Sequence, residues 1–335
     1  MAGSRRADAV LFGFDFQVNA AIVLMLENIL DLKSLRLEGE SEDIELKLND
    51  NEYILAQAKA VVKSCEDFSN VRANLKKSLI SLSEGAKKTN AGKLILITNS
   101  PNPLNEDLSR NIFLGNAHRD YNSLPQSSKK IIDDYLKKIE QPLDTSKFMI
   151  QILPFETDNE IERYKMIRQA VDDFVGSISL NVPGIGNKLM KIWQNDIFKN
   201  GGKKDVEIKL TKNDIIWPVI VLATDIERID EYFIDYFNSG LYDEIIYKYK
   251  DLIETYCERC EFFIKVLSDY QAFESSKKNS EKSIDFALKK WKDYQDEFEL
   301  LNADEELKEG LIKVVLYNIV KNRRVIDRIK REVRL

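Results

Sequence analysis

A single histidine in 335 residues excludes most chemistry that relies on several imidazoles, including the two-histidine zinc hydrolases and histidine-rich phosphoesterases. That residue, His118, sits in the polar stretch Gly115-Asn116-Ala117-His118-Arg119-Asp120, with no nucleophile motif nearby, and reads as an ordinary surface or loop histidine. The three cysteines, Cys65, Cys257 and Cys260, are too few for a disulfide framework. The Cys257/Cys260 pair lacks the second Cys or His pair that a zinc site needs, so all three are expected to be buried thiols. No Gly-x-x-x-x-Gly-Lys-Ser/Thr run is present, and Gly184-x-Gly186 is too short for a dinucleotide fingerprint. No stretch reaches the roughly 20 uncharged apolar residues of a membrane span, and Met1 to Arg6 lacks the apolar run of a secretory signal. Cytoplasm, with no membrane partner, is the expected location. With a formal charge of −6, nucleic acid could be bound only through a local basic patch.

What is present is 44% hydrophobic and 32% charged residues, enough for one large core or two ordinary ones. Helical spacing runs from Phe12 to Leu30. The period then changes to two over Ser34 to Glu38, Asp43 to Leu48 and Tyr53 to Ala60, three strands of which the last two form a hairpin around Asn49-Asp50-Asn51. A helix over Ser69 to Lys88, a buried strand over Lys93 to Thr98, a helix over Ser127 to Ile139, a strand over Phe148 to Leu153 and a helix over Glu160 to Val175 complete an alternating pattern. Beyond Asn181 the pattern is nearly all helix: Asn187 to Phe198, Ile226 to Phe237, Asp243 to Phe273, Glu281 to Leu300 and Asp304 to Arg334. Residues 1–180 are therefore expected to form an α/β domain that folds alone, and 181–335 a mainly α-helical domain for partner binding or oligomerisation.

Alternation places Asp43, Glu45 and Lys47 on one face of their strand, and Leu55, Gln57 and Lys59 on one face of the next. A hairpin closed at Asn49 to Asn51 brings Asp43 near Gln57 and Lys59, so that a carboxylate, an amide oxygen and an ammonium converge. Asp43 and Gln57 can bind Mg²⁺ through oxygen, and Mg²⁺ needs only one or two carboxylates because it keeps several waters. Phosphodiester hydrolysis uses such an ion together with a group that orients the attacking water, here Lys59.

The order Gly13-Phe14-Asp15-Phe16-Gln17, then Glu38-Gly39-Glu40-Ser41-Glu42-Asp43-Ile44-Glu45, then Ala56-Gln57-Ala58-Lys59 resembles the PD-(D/E)xK restriction-endonuclease superfamily. More narrowly it resembles the double-stranded-DNA endonuclease domain of bacterial antiphage effectors, including the nuclease subunit of Lamassu and related ABC three-component systems. The resemblance implies a restriction-endonuclease-like α/β fold followed by a helical domain, and catalysis by Asp43, Gln57 and Lys59. It also implies Mg²⁺ (or Mn²⁺) held by Asp43 and Gln57, with Glu38, Glu45 and Gln17 as further candidates. Gln57 stands where the motif has Asp or Glu, and Gln17 where many members carry Glu. Double-stranded DNA, further copies of the chain and a sensor ATPase of the chromosome-maintenance (SMC/ABC) type are the partners implied.

Lys63, Arg72, Lys76 and Lys77 follow the Lys59 strand and are the candidate DNA-phosphate contacts, with Lys87 and Lys88 farther along. The last helix is strongly basic, from Lys321 to Arg334. Two other functions fit the same residues: a binding subunit in which Gln57 has abolished metal affinity, and a structural helical scaffold.

Overall fold

The apolar run beginning at Phe12 forms the later part of a 26-residue helix, α1 (Ala2–Glu27). A computed structural model describes residues 2–156, 159–180, 182–223, 233, 236–237, 240–245, 247, 259–277, 280–298 and 304–335. They fall into two compact units, Met1–Ile215 with Arg334, and Ile216–Val333 with Leu335.

In the first unit, seven strands form one mixed sheet: β1 (Leu32–Leu37), β2 (Ile44–Leu48), β3 (Tyr53–Lys59), β4 (Ala91–Thr98), β5 (Ala117–Asp120), β6 (Phe148–Ile152) and β7 (Leu210–Thr211). Their order is β5-β6-β4-β3-β2-β1-β7. β1, β2 and β3 run antiparallel, whereas β3, β4 and β6 are parallel. Asn51 supplies the left-handed residue of the β2–β3 turn, with φ 64°, a conformation asparagine tolerates. The parallel β3–β4 connection is made by α2 (Val71–Lys88), whose Leu75, Leu79 and Leu82 pack with Leu55, Leu94 and Leu96 in the core on one face of the sheet. α3 (Gln126–Leu136) covers the same face through Ile132 and Leu136. Gly85 lets α2 approach closely, since a Cβ there would lie 3.0 Å from the Ser41 carbonyl and 3.1 Å from Leu55 Cδ1.

Ile54, Ala56 and Ala58 alternate onto the opposite face, where the small side chains of Ala56 and Ala58 leave room for α1. α1 packs against β1, β2 and β3 on one side and against α5 (Lys165–Ser177) and α6 (Ile185–Gly201) on the other. Being covered on both sides, it is apolar nearly all round from Val18 to Leu26. By length and composition Asp8–Glu27 passes as a membrane-crossing helix, although it includes Asp8, Asp15 and Glu27 and is mostly buried, as a core helix is. The helix expected over Glu160 to Val175 is broken at Tyr164 into α4 (Glu160–Arg163) and α5.

The first unit extends past the expected boundary at 180 to Ile215. Arg36 on β1 is fully buried, and its guanidinium donates to the carbonyls of Asn200 (2.6 Å), Lys203 (2.7 Å) and Ile208 (3.1 Å) around the C-terminal end of α6. Asn200 returns a side-chain contact, accepting from Leu37 N through Oδ1 at 3.3 Å. β7 then pairs with β1 at the sheet edge and leads into α7 (Lys212–Ala223). A charge buried this deeply is stable only with partners of this kind, so residues 182–215 complete the α/β unit.

Among its described residues the second unit is mainly helical. Its central helix, Glu305–Lys321, is buried almost all round and packs against Cys260–Ala272, Ser280–Lys290 and the 3₁₀ segment Trp291–Glu297. The helix expected over Asp304 to Arg334 is interrupted at Asn322, after which Arg323–Glu332 buries Ile326 and Ile329 and carries the basic residues. The helix expected over Ile226 to Phe237, the first part of that over Asp243 to Phe273, and Cys257 lie largely or wholly outside the described residues. Cys65, expected to be buried, is exposed.

Candidate active site

Ile44 pairs with Ala56 in the β2–β3 register, which sets Asp43 opposite Gln57 at the open end of the hairpin. Asp43 Oδ2 accepts hydrogen bonds from Gln57 Nε2 and from Ala58 N (3.0 Å), and lies 3.8 Å from Lys59 Nζ. Gln57 is buried, whereas the Asp43 and Lys59 side chains keep 20% and 26% of their surface, enough for a ligand to reach them. The three residues expected at the centre of the site are thus brought together.

Glu38 joins them from the end of β1. Its backbone is left-handed, with φ 52°, an uncommon state for a side chain of this kind, and its N–H donates to Asp43 O at 2.7 Å. Partial burial raises the Glu38 carboxyl above its ordinary range, and the Asp43 charge raises it further; a hydrogen bond with Gln17 of α1 and the Lys59 charge act against the rise. Gln17 therefore reaches the cluster through Glu38. Glu45 is placed differently: its Oε1 accepts from Ser41 N (2.5 Å) and Glu42 N (3.2 Å), which closes the loop between β1 and β2.

Glu42 is the member that sequence reasoning missed, since Glu38 and Glu45 were the glutamates of this run named as further candidates. It is 5% exposed, and neither carboxyl oxygen has a hydrogen bond of good geometry. Burial first, and then the charge of adjacent Asp43, push its carboxyl up to about 8, with the Ser81 hydroxyl and Lys59 offsetting part of the rise. Its place immediately before Asp43 in an acidic run was the available signal.

The donor set fits a hard divalent cation. All described hydrogen bonds to the Asp43 carboxyl fall on Oδ2, and the neighbouring Glu38 carboxyl is under like-charge pressure that a cation would relieve. Gln57 would present its oxygen after a half-turn of the amide, which exchanges two nearly isosteric atoms. Among the described residues, no group of three or more His, Cys, Asp or Glu is placed to share an ion, so the site depends on two carboxylates and an amide.

A cleft of about 1100 Å³ opens directly past Lys59, lined by Ala60, Val61 and Val62, by Leu11, Phe12 and Asp15 of α1, and by Asn74 and Lys77 of α2. Lys63 and Lys77 line it as expected of phosphate contacts, whereas Lys76 is exposed elsewhere on α2 and Arg72 donates to Asn105 O at 3.4 Å. Arg163, which the sequence did not single out, also lines it, stacking over Phe12 and sitting 3.7 Å from Asp15. Asp8, Asp15 and Asp67 share the wall, so the cleft is mixed in sign. Burial raises the Asp15 carboxyl, against hydrogen bonds from Tyr164 and Asn19 and the Arg163 charge.

Comparison with protein-family models, curated proteins and solved structures returns no match. The functional reading of this chain therefore rests on its own geometry and on the motif order in its sequence.

Proposed function

We propose that the first unit is a metal-dependent DNA endonuclease of the PD-(D/E)xK type, with Asp43, Gln57 and Lys59 as catalytic residues. The observation that supports this is the convergence of Gln57 Nε2 and Lys59 Nζ on Asp43 Oδ2, with Glu38 and Gln17 adjoining, in the motif's order along the chain. Asp43, Gln57 and Glu38 would hold Mg²⁺ or Mn²⁺. The bound ion would polarise the scissile phosphate and acidify water. Lys59 keeps a cation beside Asp43, placed to orient the attacking water and to offset charge that develops at phosphorus. Lys63, Lys77 and Arg163 would receive the phosphates of double-stranded DNA in the adjoining cleft, and the mixed sign of its wall limits binding to a short stretch of backbone.

The resemblance to antiphage effectors extends the proposal: a cytoplasmic defence nuclease whose helical unit joins copies of the chain and an SMC-type ATPase sensor, with assembly switching on cleavage. Nothing in the chain resembles a base-reading module, so an unregulated enzyme would cut its host. One observation favours a second reading, a DNA- or partner-binding subunit without catalysis: Gln57 turns its amide N–H, rather than its oxygen, toward Asp43.

Incubation of the purified full chain with supercoiled plasmid and Mg²⁺ or Mn²⁺, with and without EDTA and across protein concentration, tests both readings. Metal-dependent nicking or linearisation that rises with self-association is expected. DNA retention in a gel without cleavage under any metal would leave the binding subunit.

A further inference from the structure

The single histidine takes part in a second polar cluster of the first unit, built on β5, β6 and the last position of α1. His118 on β5, Gln151 on β6 and Glu27 at the last position of α1 meet at a cavity of about 320 Å³, also lined by Lys93, Ile95 and Met149. His118 Nε2 lies 3.5 Å from Glu27 Oε1 and 3.3 Å from the Gln151 side-chain nitrogen, which in turn lies 3.1 Å from Glu27 Oε1. Gln151 is fully buried, and its Oε1 has no hydrogen-bond partner.

We infer that Glu27, His118 and Gln151 form a binding site for a divalent transition-metal ion, Zn²⁺ in the first instance, separate from the Asp43 cluster. The separations support this directly. An ion with bonds of about 2.1 Å to nitrogen and oxygen donors spaces adjacent donors roughly 3.0–3.4 Å apart in octahedral or tetrahedral arrangement. The three measured separations, 3.1, 3.3 and 3.5 Å, are close to those edges. The Gln151 amide would present its oxygen to an ion after a half-turn, giving up the Nε2 hydrogen bonds to Glu27 that hold it in the metal-free cluster. His118 and Glu27 retain 38% and 34% of their side-chain surface, so an ion has a path in and waters can complete its shell.

The chemistry distinguishes this site from the first. An imidazole nitrogen selects Zn²⁺, Co²⁺ or Ni²⁺, whereas the all-oxygen set around Asp43 suits Mg²⁺. Glu27 also ends a 26-residue helix, where the terminal carbonyls add negative potential. Lys93 is the opposing charge, attracted to Glu27 inside the same cavity, and metal binding must displace it. A bound ion would tie the end of α1 to the edge strand β5, stabilising the sheet at the end farthest in strand order from β7.

The test uses the full chain carrying Asp43→Ala, which weakens the first site, titrated calorimetrically with ZnCl₂ in excess Mg²⁺. One equivalent of Zn²⁺ is expected, together with a higher melting temperature. His118→Ala and the nearly isosteric Glu27→Gln should each weaken this binding by about tenfold or more, and Lys93→Met should strengthen it. Co²⁺ should give a visible absorption band that His118→Ala removes. Glu27→Gln keeps the test decisive if His118→Ala fails to fold. A Zn²⁺ isotherm unchanged by either substitution, or no uptake by the full chain, would overturn the assignment.

Discussion

Arg36 Nη1 donates to the Asn200 carbonyl at 2.6 Å, joining β1 to the end of α6 across 164 residues of chain. Because the guanidinium also serves Lys203 O and Ile208 O, Arg36→Met would remove three hydrogen bonds; Asn200 O would keep Lys203 N and Ile208 O would keep Asn200 Nδ2, while Lys203 O would lose its described donor. An unsatisfied group of this kind costs about 1–3 kcal/mol, so a loss of about that size is expected in urea denaturation of the full chain. A fragment ending at Val182 should lack a cooperative melt, and one ending at Ala223 should regain it. An unchanged midpoint for Arg36→Met would show that the α6 anchor is dispensable.

Substitution at the candidate catalytic pair should separate activity from fold. Lys59→Ala and Asp43→Asn are each expected to lower plasmid cleavage by about 100-fold or more, as removal of a group acting on the transition state does. Asp43→Ala should also cost about 1–2 kcal/mol of stability, because Ala58 N and Gln57 Nε2 lose their acceptor. Comparison of initial nicking rates with urea midpoints checks both effects; wild-type nicking by Asp43→Asn would remove Asp43 from the mechanism.

Glu42 sets a pH dependence of known sign. Its folded carboxyl titrates at about 8 rather than 4.5, so between those values the folded state holds a proton that the unfolded state has released. Stability then falls as pH rises through that window, by on the order of a few kcal/mol, and is regained toward the acid side. The urea midpoint should drop between pH 6 and pH 9, and Glu42→Gln should flatten the drop by keeping a neutral side chain at every pH. Parallel pH profiles for the two proteins would contradict the assignment.

Gly85→Ala tests the approach of α2 to the β1–β2 loop. Alanine would gain up to about 1 kcal/mol of helix propensity. Its Cβ would press on Ser41 O at 3.0 Å and Leu55 Cδ1 at 3.1 Å, and an overpacked contact costs about 1–3 kcal/mol. A net loss of stability is expected by thermal melting; a net gain would mean that the loop yields.

Much of this arrangement could be read from local pattern. Period-two alternation over Asp43 to Ala60 located β2 and β3, and the asparagines between them closed the hairpin, which was enough to bring Asp43, Gln57 and Lys59 together. The short edge strands were not legible. β5 spans only Ala117–Asp120 and β7 only Leu210–Thr211, too few residues for a period to appear, and both exist because a neighbouring strand offers free hydrogen-bonding groups. His118 was accordingly read as lying on an ordinary surface or loop, although pairing opposite Gln151 carries it toward Glu27.

The sequence by itself determined the alternating α/β order, the hairpin and the polar face at its open end, because periodicity and turn chemistry act over a few residues. Tertiary structure alone decided which glutamates accompany Asp43: Glu38 reaches Gln17, Glu45 serves loop amides, and Glu42 is sealed beneath α2. It also decided where the first unit ends, since the partners of Arg36 lie beyond position 180. These outcomes depend on burial and on contacts between residues distant in the chain, and the desolvation that governs a carboxylate's charge arises only when the surrounding elements have packed.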